Sequence, residues 1–416
     1  MTSPESRPRL TDGINIGVLT RIFHRDLVDD VLRETGKAGE RTRLMPGRVT
    51  VYFVLAMCLF FEDAYEEVMR KLVNGLRFLG NWAPNWHVPT SSAMSRARSR
   101  LEAAPLAALF DRVAVPMARP ATIGAWFHGW RVMAVDGVMF DVPDTPENLS
   151  EFGKLGSGRN RSPYPQVRLV GLGECGTHAI VDAAFDAGKT SERALIQRLI
   201  PGFEPDMLVL CDRGFYSYQL WQAASATGAA LLWRLKNDIK IPALAILPDG
   251  SYLSELLPRQ LKANQRASQR RGGHTHIPDQ ARLPVRVVEY TIPNRDGKVE
   301  TIKIITTILD PEQATADELA ALYNQRWEFE LTLDEVETHQ MPAHRILRSR
   351  TPELIRQEIW ALLLTHYAVR AFMREAADDV ADDVDRLSFI RSIRVIRRQV
   401  ENQAGFSPSP PDDRDP

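Results

Sequence analysis

The amino-acid sequence predicts an α/β protein, in which an all-α N-terminal domain precedes an α/β domain that carries a β-rich insertion. Apolar residues recur at helical spacing through about the first hundred residues, and short β-rich runs begin at residue 131. Further along, residues 321–340 contain no Pro or Gly and end just before Pro342, as a helix would. At 416 residues the chain is long enough for two or three domains with cores of their own.

The composition is that of an ordinary globular protein and excludes several classes. Hydrophobic residues make up 44% of the chain, and the net charge of -1 argues neither for nor against nucleic acid, because DNA binding needs only a local basic face. The three cysteines form no C-x-x-C pair, which excludes a disulfide scaffold and a cysteine-based zinc site and fits a reducing cytoplasm. No secretory signal is visible, and the apolar run 49–61 is too short to cross a bilayer. We therefore expect a cytoplasmic protein without a membrane segment.

The N-terminal helical domain is assigned to residues 1–115 and is a candidate for DNA binding. The run 49–61 is typical of a buried helix, and another helix is expected to begin at Thr90. We expect one stripe of this second helix, formed by Ala93, Ala97 and Leu101, to be buried. The same helix carries three basic residues, Arg96, Arg98 and Arg100. An amphipathic helix, a turn-rich link and a basic helix favour a helix-turn-helix-like DNA contact, and the alternative is an ordinary solvated helix face.

The α/β region has a characteristic order of elements. Three short strands, expected to form an antiparallel meander with a turn at Asp136-Gly137, precede a helix, an apolar strand at 207–211, a helix near Tyr216 and a strand at 229–235. This is the element order of a ribonuclease-H-like domain. We assign its first part to 116–235, a β-rich insertion with a hairpin turn at 294–297 to 236–306, and its last part to 307–375. An Arg-rich helix and a disordered tail are expected in 376–416.

The segment 321–340 is predicted to be the back part of one long helix that starts near Thr315. At 100° per residue, one narrow arc of this helix carries a phenol, a guanidinium and three carboxylates. These residues are Tyr323, Arg326, Glu330, Asp334 and Glu337. A surface helix covered with ion pairs is the simpler interpretation, and from this segment alone the two interpretations are equally good.

Two aspartates in the α/β region are candidates for the same site. Asp136 is expected in the middle of a strand and Asp212 at the end of an apolar one, where a carboxylate is costly to desolvate unless it binds something positive. Each could instead be a turn residue beside Gly. The patterns Tyr323-x2-Arg326-x3-Glu330 and Asp212-Arg213-Gly-Phe resemble motifs of the insertion-sequence-four family of bacterial DDE transposases, and the similarity extends over about residues 14–375.

The resemblance implies a reaction and its ligands. Asp136, Asp212 and Glu330 would form the catalytic DDE triad and bind two Mg²⁺ (or Mn²⁺) ions, because converging carboxylates suit a hard divalent cation. The enzyme would nick the element ends with water and join the freed 3′-OH to target DNA by cut-and-paste, as a homodimer on double-stranded DNA in the nucleoid. Contacts to DNA are expected from Tyr323, Arg326, Arg213, Arg96 and Arg100.

One position departs from the family pattern and leaves alternatives open. The family has Lys seven residues after the catalytic Glu, where this chain has Glu337. A Glu there would repel phosphate, so a catalytically inactive DNA-binding protein derived from a transposase is one alternative. A ribonuclease-H-like nuclease that cuts but does not join DNA is another. We expect Trp327 and Phe329 to lie in the core, and the histidines of His274-Thr-His276 to be solvated.

Overall fold

The computed structural model describes residues 17–39, 45–77, 88–261, 263, 277–293, 299–342, 346–380 and 383–401. The chain divides into two compact units, which are taken separately below. The helical unit comprises the described parts of Met1–Val115, Phe140–Pro165 and Asp334–Pro416, and the sheet unit comprises those of Pro116–Met139 and Gln166–Leu333. The histidines at 274 and 276, the turn at 294–297, the tail beyond residue 401 and most of the basic stretch 260–273 lie outside the described residues.

The helical unit is built around two apolar helices. Its helices are α1 (Gly17–Ile22), α2 (Arg25–Glu34), α3 (Gly47–Leu59), α4 (Tyr65–Arg77), α5 (Ser91–Leu101), α6 (Ala104–Val113), α7 (Pro146–Phe152), and, near the C-terminus, α12 (Pro352–Val380) and α13 (Phe389–Glu401). Every side chain of α3 from Val49 to Leu59 is buried, as expected for a helix that is apolar all round. It packs against α12, and among the described residues no helix is long and apolar enough to cross a membrane.

The helix α5 corrects one expectation from the sequence. Its buried face is formed by Met94, Ala97, Arg98 and Leu101, so Arg98 lies inside and not on a basic surface. The Arg98 guanidinium donates to Gln357 Oε1 at 2.9 Å and to Ser349 Oγ at 2.7 Å, which satisfies it without a carboxylate. Arg96 and Arg100, the two residues of this helix that we named as DNA contacts, are exposed.

The sheet unit holds one mixed sheet. Its strands are β1 (Trp126–Phe127), β2 (Trp130–Asp141), β3 (Gln166–Glu174), β4 (Ala179–Ala187), β5 (Met207–Cys211), β6 (Ala230–Leu235), β7 (Ala245–Ile246), β8 (Tyr252–Leu256), β9 (Leu283–Pro293) and β10 (Val299–Thr306), although the last two residues of β2 belong to the helical unit. The strand order is β4-β3-β2-β5-β6-β10-β9-β8-β7, with β1 beside β2. Parallel pairing of β2, β5 and β6 beside the antiparallel pair β3–β4 confirms the ribonuclease-H-like class.

The β-rich insertion continues this sheet. Its strands β8, β9 and β10 pair antiparallel with one another, and β10 pairs antiparallel with β6. The predicted hairpin is therefore confirmed, while the short strands β1, β7 and β8 were not foreseen. The predicted turn at Asp136-Gly137 is wrong, because both residues lie inside the continuous strand β2. Four further helices belong to the sheet unit in whole or in most part: α8 (Glu192–Leu199), α9 (Tyr218–Ser225), α10 (Ala316–Tyr323) and α11 (Arg326–Asp334).

Candidate functional site

Two neighbouring parallel strands bring Asp136 and Asp212 together. In the register of β2 and β5, Val135 pairs with Cys211, and each aspartate is the residue that follows. Adjacent strands lie about 4.8 Å apart, so the two carboxylates start from neighbouring positions of the sheet. Asp136 is 21% exposed, and its Oδ1 accepts a hydrogen bond of 2.8 Å from the amide of Gly137. The strand placement expected for both residues is thus what the structure has.

The segment that follows Thr315 is not one regular helix, so that prediction is wrong. After α10 ends at Tyr323, a tight turn at Asn324 and Gln325 leads into α11 (Arg326–Asp334), which is followed by a π-helical stretch, Glu335–Gln340. At the turn, the Trp327 amide donates to Asn324 O at 3.1 Å, a bond between residues three apart. At the same turn, the Cys175 thiol donates a hydrogen bond to the Gln325 carbonyl, with Sγ and O 3.8 Å apart. A distant side chain thus takes part in the interruption.

The π-helical stretch changes what the end of the segment presents. A π-helix has a wider turn, so residues after Asp334 leave the arc that an α-helix would give them. Within the helical unit, Glu335 is buried and paired with Arg370, whose Nε lies 2.9 Å from Glu335 Oε2, and with His366 at 2.9 Å. Glu337, the position at which the family pattern has Lys, is exposed. The predicted single arc of five residues therefore does not extend past α11.

Arg326 joins the first aspartate to the glutamate. Its Nη1 lies 2.9 Å from Asp136 Oδ2, and its Nη2 lies 2.6 Å from Glu330 Oε1. The arginine side chain is only 6% exposed, so both ion pairs act in a largely dehydrated setting. Burial alone would lower the pKa of Arg326, but Tyr323, Glu330 and Asp136 raise it above its ordinary value, and the guanidinium remains charged.

The pKa of Asp136 depends on its burial and on the charged groups around it. Burial raises this pKa from 3.8 to about 6, against the lowering effect of the Gly137 amide and of Arg326. The negative charges of Glu330 and Asp212 raise it further, which requires both to lie near Asp136. The structure therefore places Asp136 and Asp212 after paired positions of two neighbouring strands, and it places Glu330 near enough to Asp136 to influence its pKa.

The other predicted DNA contacts have different surroundings. Tyr323 is 5% exposed, and its hydroxyl donates to the carbonyl of Cys211 at 3.3 Å. Burial raises the pKa of this phenol above its ordinary value, so the hydroxyl stays a hydrogen-bond donor. Arg213 follows Asp212 directly and is exposed. Of the five residues named as contacts, Tyr323 and Arg326 are buried in the site, Arg213 lies at its edge, and Arg96 and Arg100 belong to the helical unit.

Two aromatic residues flank Glu330 on α11, and only one behaves as expected. Phe329 is buried and packs against the glycines of β3, where a Cβ added to Gly173 would lie 1.9 Å from the ring atom Cε2. Trp327 was expected in the core, but it is 57% exposed. Its ring centroid lies 5.1 Å from the Arg326 guanidinium carbon, and Leu331, one turn further on, is 59% exposed. Apolar residues on two sides of a helix do not reveal which side faces solvent.

Sequence reasoning also missed the support of the loop after Asp212. Arg193, in the first turn of α8, donates from Nε to the carbonyl of Gly214 at 2.9 Å. The neighbouring Glu192 pairs with Arg168 at 2.8 Å, and its carboxylate lies 3.4 Å from where a Cβ on Gly137 would stand. The only local signal is the Ser191 N-cap, which marks a helix start without indicating its tertiary contacts.

The donor set fits a hard divalent cation. Asp136, Asp212 and Glu330 offer carboxylate oxygens, which are the ligands that Mg²⁺ and Mn²⁺ prefer. Arg326 supplies one positive charge against three carboxylates, so two negative charges remain when all three are ionised. Burial is the main cause of the raised pKa of Asp136, and the negative charges of Glu330 and Asp212 add to it.

Comparison with known proteins gives a consistent result. Residues 13–111 match the family model of insertion element 4 transposase N-terminal regions, and residues 128–367 match that of the transposase DDE domain. The chain is 29% identical to the transposase InsG for insertion sequence element IS4 of Escherichia coli K12, over 92% of this chain and 82% of that protein. It is 26% identical to the putative transposase InsZ of the same organism, over 56% of this chain and 76% of that protein.

A solved structure was also found to be similar. It is the synaptic complex of piggyBac transposase with hairpin DNA, with a TM-score of 0.48 and 12% identity, covering 95% of this chain and 82% of that one. The family models, and not this structure, decide the assignment. Because the DDE-domain model matches more than half of the sequence and the IS4 N-terminal model precedes it, the chain belongs to the IS4 family of DDE transposases.

Proposed function

We propose that this transposase moves its element by cut-and-paste, with metal-dependent nicking at the element ends followed by attack of the freed 3′-OH on target DNA. The observation that carries the proposal is the placement of Asp136 and Asp212 after paired positions of two parallel strands, with Arg326 forming ion pairs to both Asp136 and Glu330. Three carboxylates at one point are unfavourable in a folded protein unless a cation balances them. Such a cluster is what phosphoryl transfer on DNA requires.

The same three carboxylates would hold the metal ions. Asp136 lies inside β2 just after its pairing with β5, Asp212 directly follows β5, and Glu330 lies on α11, so oxygen donors would reach the site from three elements. When bound, two Mg²⁺ or Mn²⁺ ions would supply positive charge on both sides of the phosphate that reacts. Cys211, which precedes Asp212, would not compete as a ligand for a softer metal, because it is buried and burial raises the pKa of its thiol.

The protein side chains around the triad have positioning tasks. Arg326 fixes the carboxylates of Asp136 and Glu330 through two separate nitrogens, which its planar guanidinium can do without loss of charge. Tyr323 ties α10 to the backbone of β5 immediately before Asp212. Arg213 is exposed beside the site and would contact a DNA phosphate. Arg96 and Arg100 on α5 would contact DNA elsewhere on the chain.

The partners follow from the reaction. The substrate would be double-stranded DNA, both the element ends and the target, and two copies of the chain would hold two ends. The place of action would be the nucleoid. Exposed Glu337 removes one phosphate contact that the family Lys would supply, which weakens DNA binding without altering the metal ligands.

The experiment uses the ends of the element itself, taken from the DNA on either side of the gene. We expect Asp136→Asn, Asp212→Asn and Glu330→Gln each to abolish strand cleavage in Mg²⁺ while end binding stays close to wild type. The matched control is Asp186→Asn, which removes a partly exposed carboxylate of β4 that pairs with Arg198. Normal cleavage by any of the three variants would remove that residue from the site.

The products separate this function from its alternatives. Joined donor–target products are expected with a target plasmid, whereas a nuclease of the same fold would give cut DNA without joining. An inactive DNA-binding protein would bind ends equally well with and without Mg²⁺ and would cut in neither case. Either of these two results would refute the proposed function.

A further inference from the structure

The C-terminal helix α13 has two opposite faces. Its apolar face, Phe389, Ile393 and Ile396, is buried within the helical unit. Arg391, Arg394 and Arg398 are exposed, and at 100° per residue they fall within a 60° arc on the other side. We call these three residues the basic face of α13. They lie beyond residue 367, where the match to the DDE-domain model ends.

The basic face is not neutralised by carboxylates. Among the described residues, no Asp or Glu oxygen lies within ion-pair distance of these three arginines, and Arg398 Nε donates to the Arg394 carbonyl at 3.3 Å. Several other exposed arginines of the same unit are paired locally with a carboxylate. Examples are Arg25 with Asp26, Arg33 with Asp30, and Arg70 with Glu67. The basic face therefore carries three positive charges without the local carboxylates that these other arginines have.

The fourth arginine of the helix explains how the basic face is held. Arg397 is partly buried and donates to the carbonyls of Leu59, at 2.7 Å, and Gln340, at 3.2 Å. Burial lowers its pKa, against the raising effect of Glu62 and Asp63. One arginine thus anchors α13 to its own unit, together with the apolar face. The other three remain available to a ligand on a fixed scaffold.

We propose that the basic face of α13 binds the phosphate backbone of duplex DNA, as a contact surface separate from the catalytic triad. The first and last of these arginines are seven residues apart, or about 10.5 Å of helix, and successive phosphates of one strand advance by about 3.4 Å along the duplex axis. This length covers about four phosphates, which is enough for each guanidinium group to meet one. Arginine pairs with phosphate through two parallel hydrogen bonds. The choice of DNA as the ligand rests on the proposed function, in which DNA is the substrate.

The test measures how DNA affinity of the full-length protein depends on salt, in EDTA so that no cleavage occurs. The probe is a duplex of unrelated sequence, because backbone contacts carry no sequence information. The variant replaces Arg391, Arg394 and Arg398 with Gln. The matched control replaces Arg25, Arg33 and Arg70 with Gln, which changes the net charge equally but removes arginines that already have carboxylate partners.

A plot of log affinity against log salt concentration has a negative slope, and each lost phosphate contact should reduce the magnitude of that slope by about 0.9. For the basic-face variant, the magnitude should therefore be smaller than in wild type by up to about 2.7. Between 50 and 200 mM salt its affinity should therefore fall about 40-fold less than that of wild type. The control variant should keep a slope close to wild type. Replacement of the same three arginines with Lys keeps the charge and should restore most of the slope, which excludes a folding defect as the cause.

Equal slopes for the basic-face variant and the control would overturn the inference, as would a slope unchanged from wild type. These results leave the cut-and-paste proposal intact if wild-type protein cuts and joins DNA in Mg²⁺. Conversely, a reduced slope together with a wild-type protein that neither cuts nor joins supports the basic face and refutes the proposed reaction.

Discussion

The contact between Phe329 and Gly173 should control how firmly Glu330 is held, because Phe329 is its neighbour on α11. A Cβ on Gly173 would lie 1.9 Å from Phe329 Cε2 and 2.2 Å from Cδ2, where carbon atoms normally keep about 3.5–4.0 Å. In Gly173→Ala the ring has to retreat by roughly 1.5–2 Å. We expect this overpacking to cost about 1–3 kcal/mol of stability. A displacement of α11 on that scale should lower strand cleavage by about 100-fold.

A neighbouring glycine supplies the control. At Gly171 an added Cβ would lie 3.2 Å from Phe329 Cζ, so a shift of a few tenths of an ångström removes the conflict. Alanine is also better than glycine in a strand by about 0.5–1 kcal/mol, which offsets the cost. Gly171→Ala should therefore be close to wild type in the free energy of unfolding and in cleavage.

The assay is urea unfolding of purified protein without added metal, combined with a double-mutant cycle. Phe329→Ala alone should cost about 3–5 kcal/mol, because it empties a buried site. In the double variant the ring is gone, so Gly173→Ala should add less than about 0.5 kcal/mol. The reasoning is refuted if Gly173→Ala is as stable as wild type, or if its cost is the same with and without the Phe329 ring.

Three further predictions concern charged residues. Arg326→Gln should raise the pKa of Asp136 above about 6, because the guanidinium lowers it; carboxyl-carbon NMR titration measures this, and an unchanged pKa would contradict the ion pair. Burial would raise the pKa of Asp249, but hydrogen bonds and the charge of Arg286 lower it below its ordinary value. The ionised carboxylate therefore stabilises the fold fully above the unfolded-state pKa, and this stabilisation is lost as the pH falls through the folded-state pKa. In Asp249→Asn, the unfolding temperature should fall less steeply as the pH is lowered than it does in wild type, and a wild-type pH dependence would refute the assignment. Arg98→Met should cost about 1–3 kcal/mol of unfolding free energy, since it leaves buried acceptors unsatisfied; the control Arg96→Ala, at an exposed site, should stay within about 0.5 kcal/mol, and equal costs would refute the buried placement.

The architecture of the sheet unit could be read from the sequence because its signals are local. Five short apolar runs, each bounded by turn residues or a helix, gave β2 to β6 and hence the ribonuclease-H-like order. The prediction of a turn at Asp136-Gly137 was wrong because it rested on the Asp-Gly dipeptide alone and did not consider the neighbouring strands of the sheet. A glycine in the middle of β2 has another reason: a Cβ at Gly137 would lie 3.2 Å from the Leu169 carbonyl of the neighbouring strand.

The buried position of Arg98 was also present in the sequence, but a competing pattern concealed it. Ala93, Ala97 and Leu101 at intervals of four residues suggested the buried stripe. The face that packs is Met94, Ala97, Arg98 and Leu101, which has the i, i+3, i+4, i+7 spacing typical of a helix in a globular protein. From the sequence, an arginine in that stripe is expected to be exposed unless its buried partners are known. The partners of Arg98 are Ser349 and Gln357, which lie more than 250 residues away in the sequence.

The interruption of the signature segment could not be predicted from its own residues. Nothing between Thr315 and Gln340 breaks a helix by local propensity, since the segment has neither Pro nor Gly. The tight turn involves the thiol of Cys175, and Glu335 at the start of the π-helical stretch has buried partners on α12. Such contacts between distant parts of the chain decide helix geometry only after folding, and π-helical turns are often found at functional sites.

The candidate site separates the forces that hold it from the charges that would act in it. Neutral contacts fix the two helices: the Tyr323 hydroxyl binds the backbone of β5, and the Phe329 ring fills the groove over the glycines of β3. Arg326 then needs only to orient Asp136 and Glu330, and it leaves the excess negative charge uncompensated. A site held by its carboxylates alone would rearrange whenever a cation bound or left. Because packing and backbone hydrogen bonds hold this one, we expect its geometry to stay constant when the charge of Asp136, Asp212 and Glu330 changes.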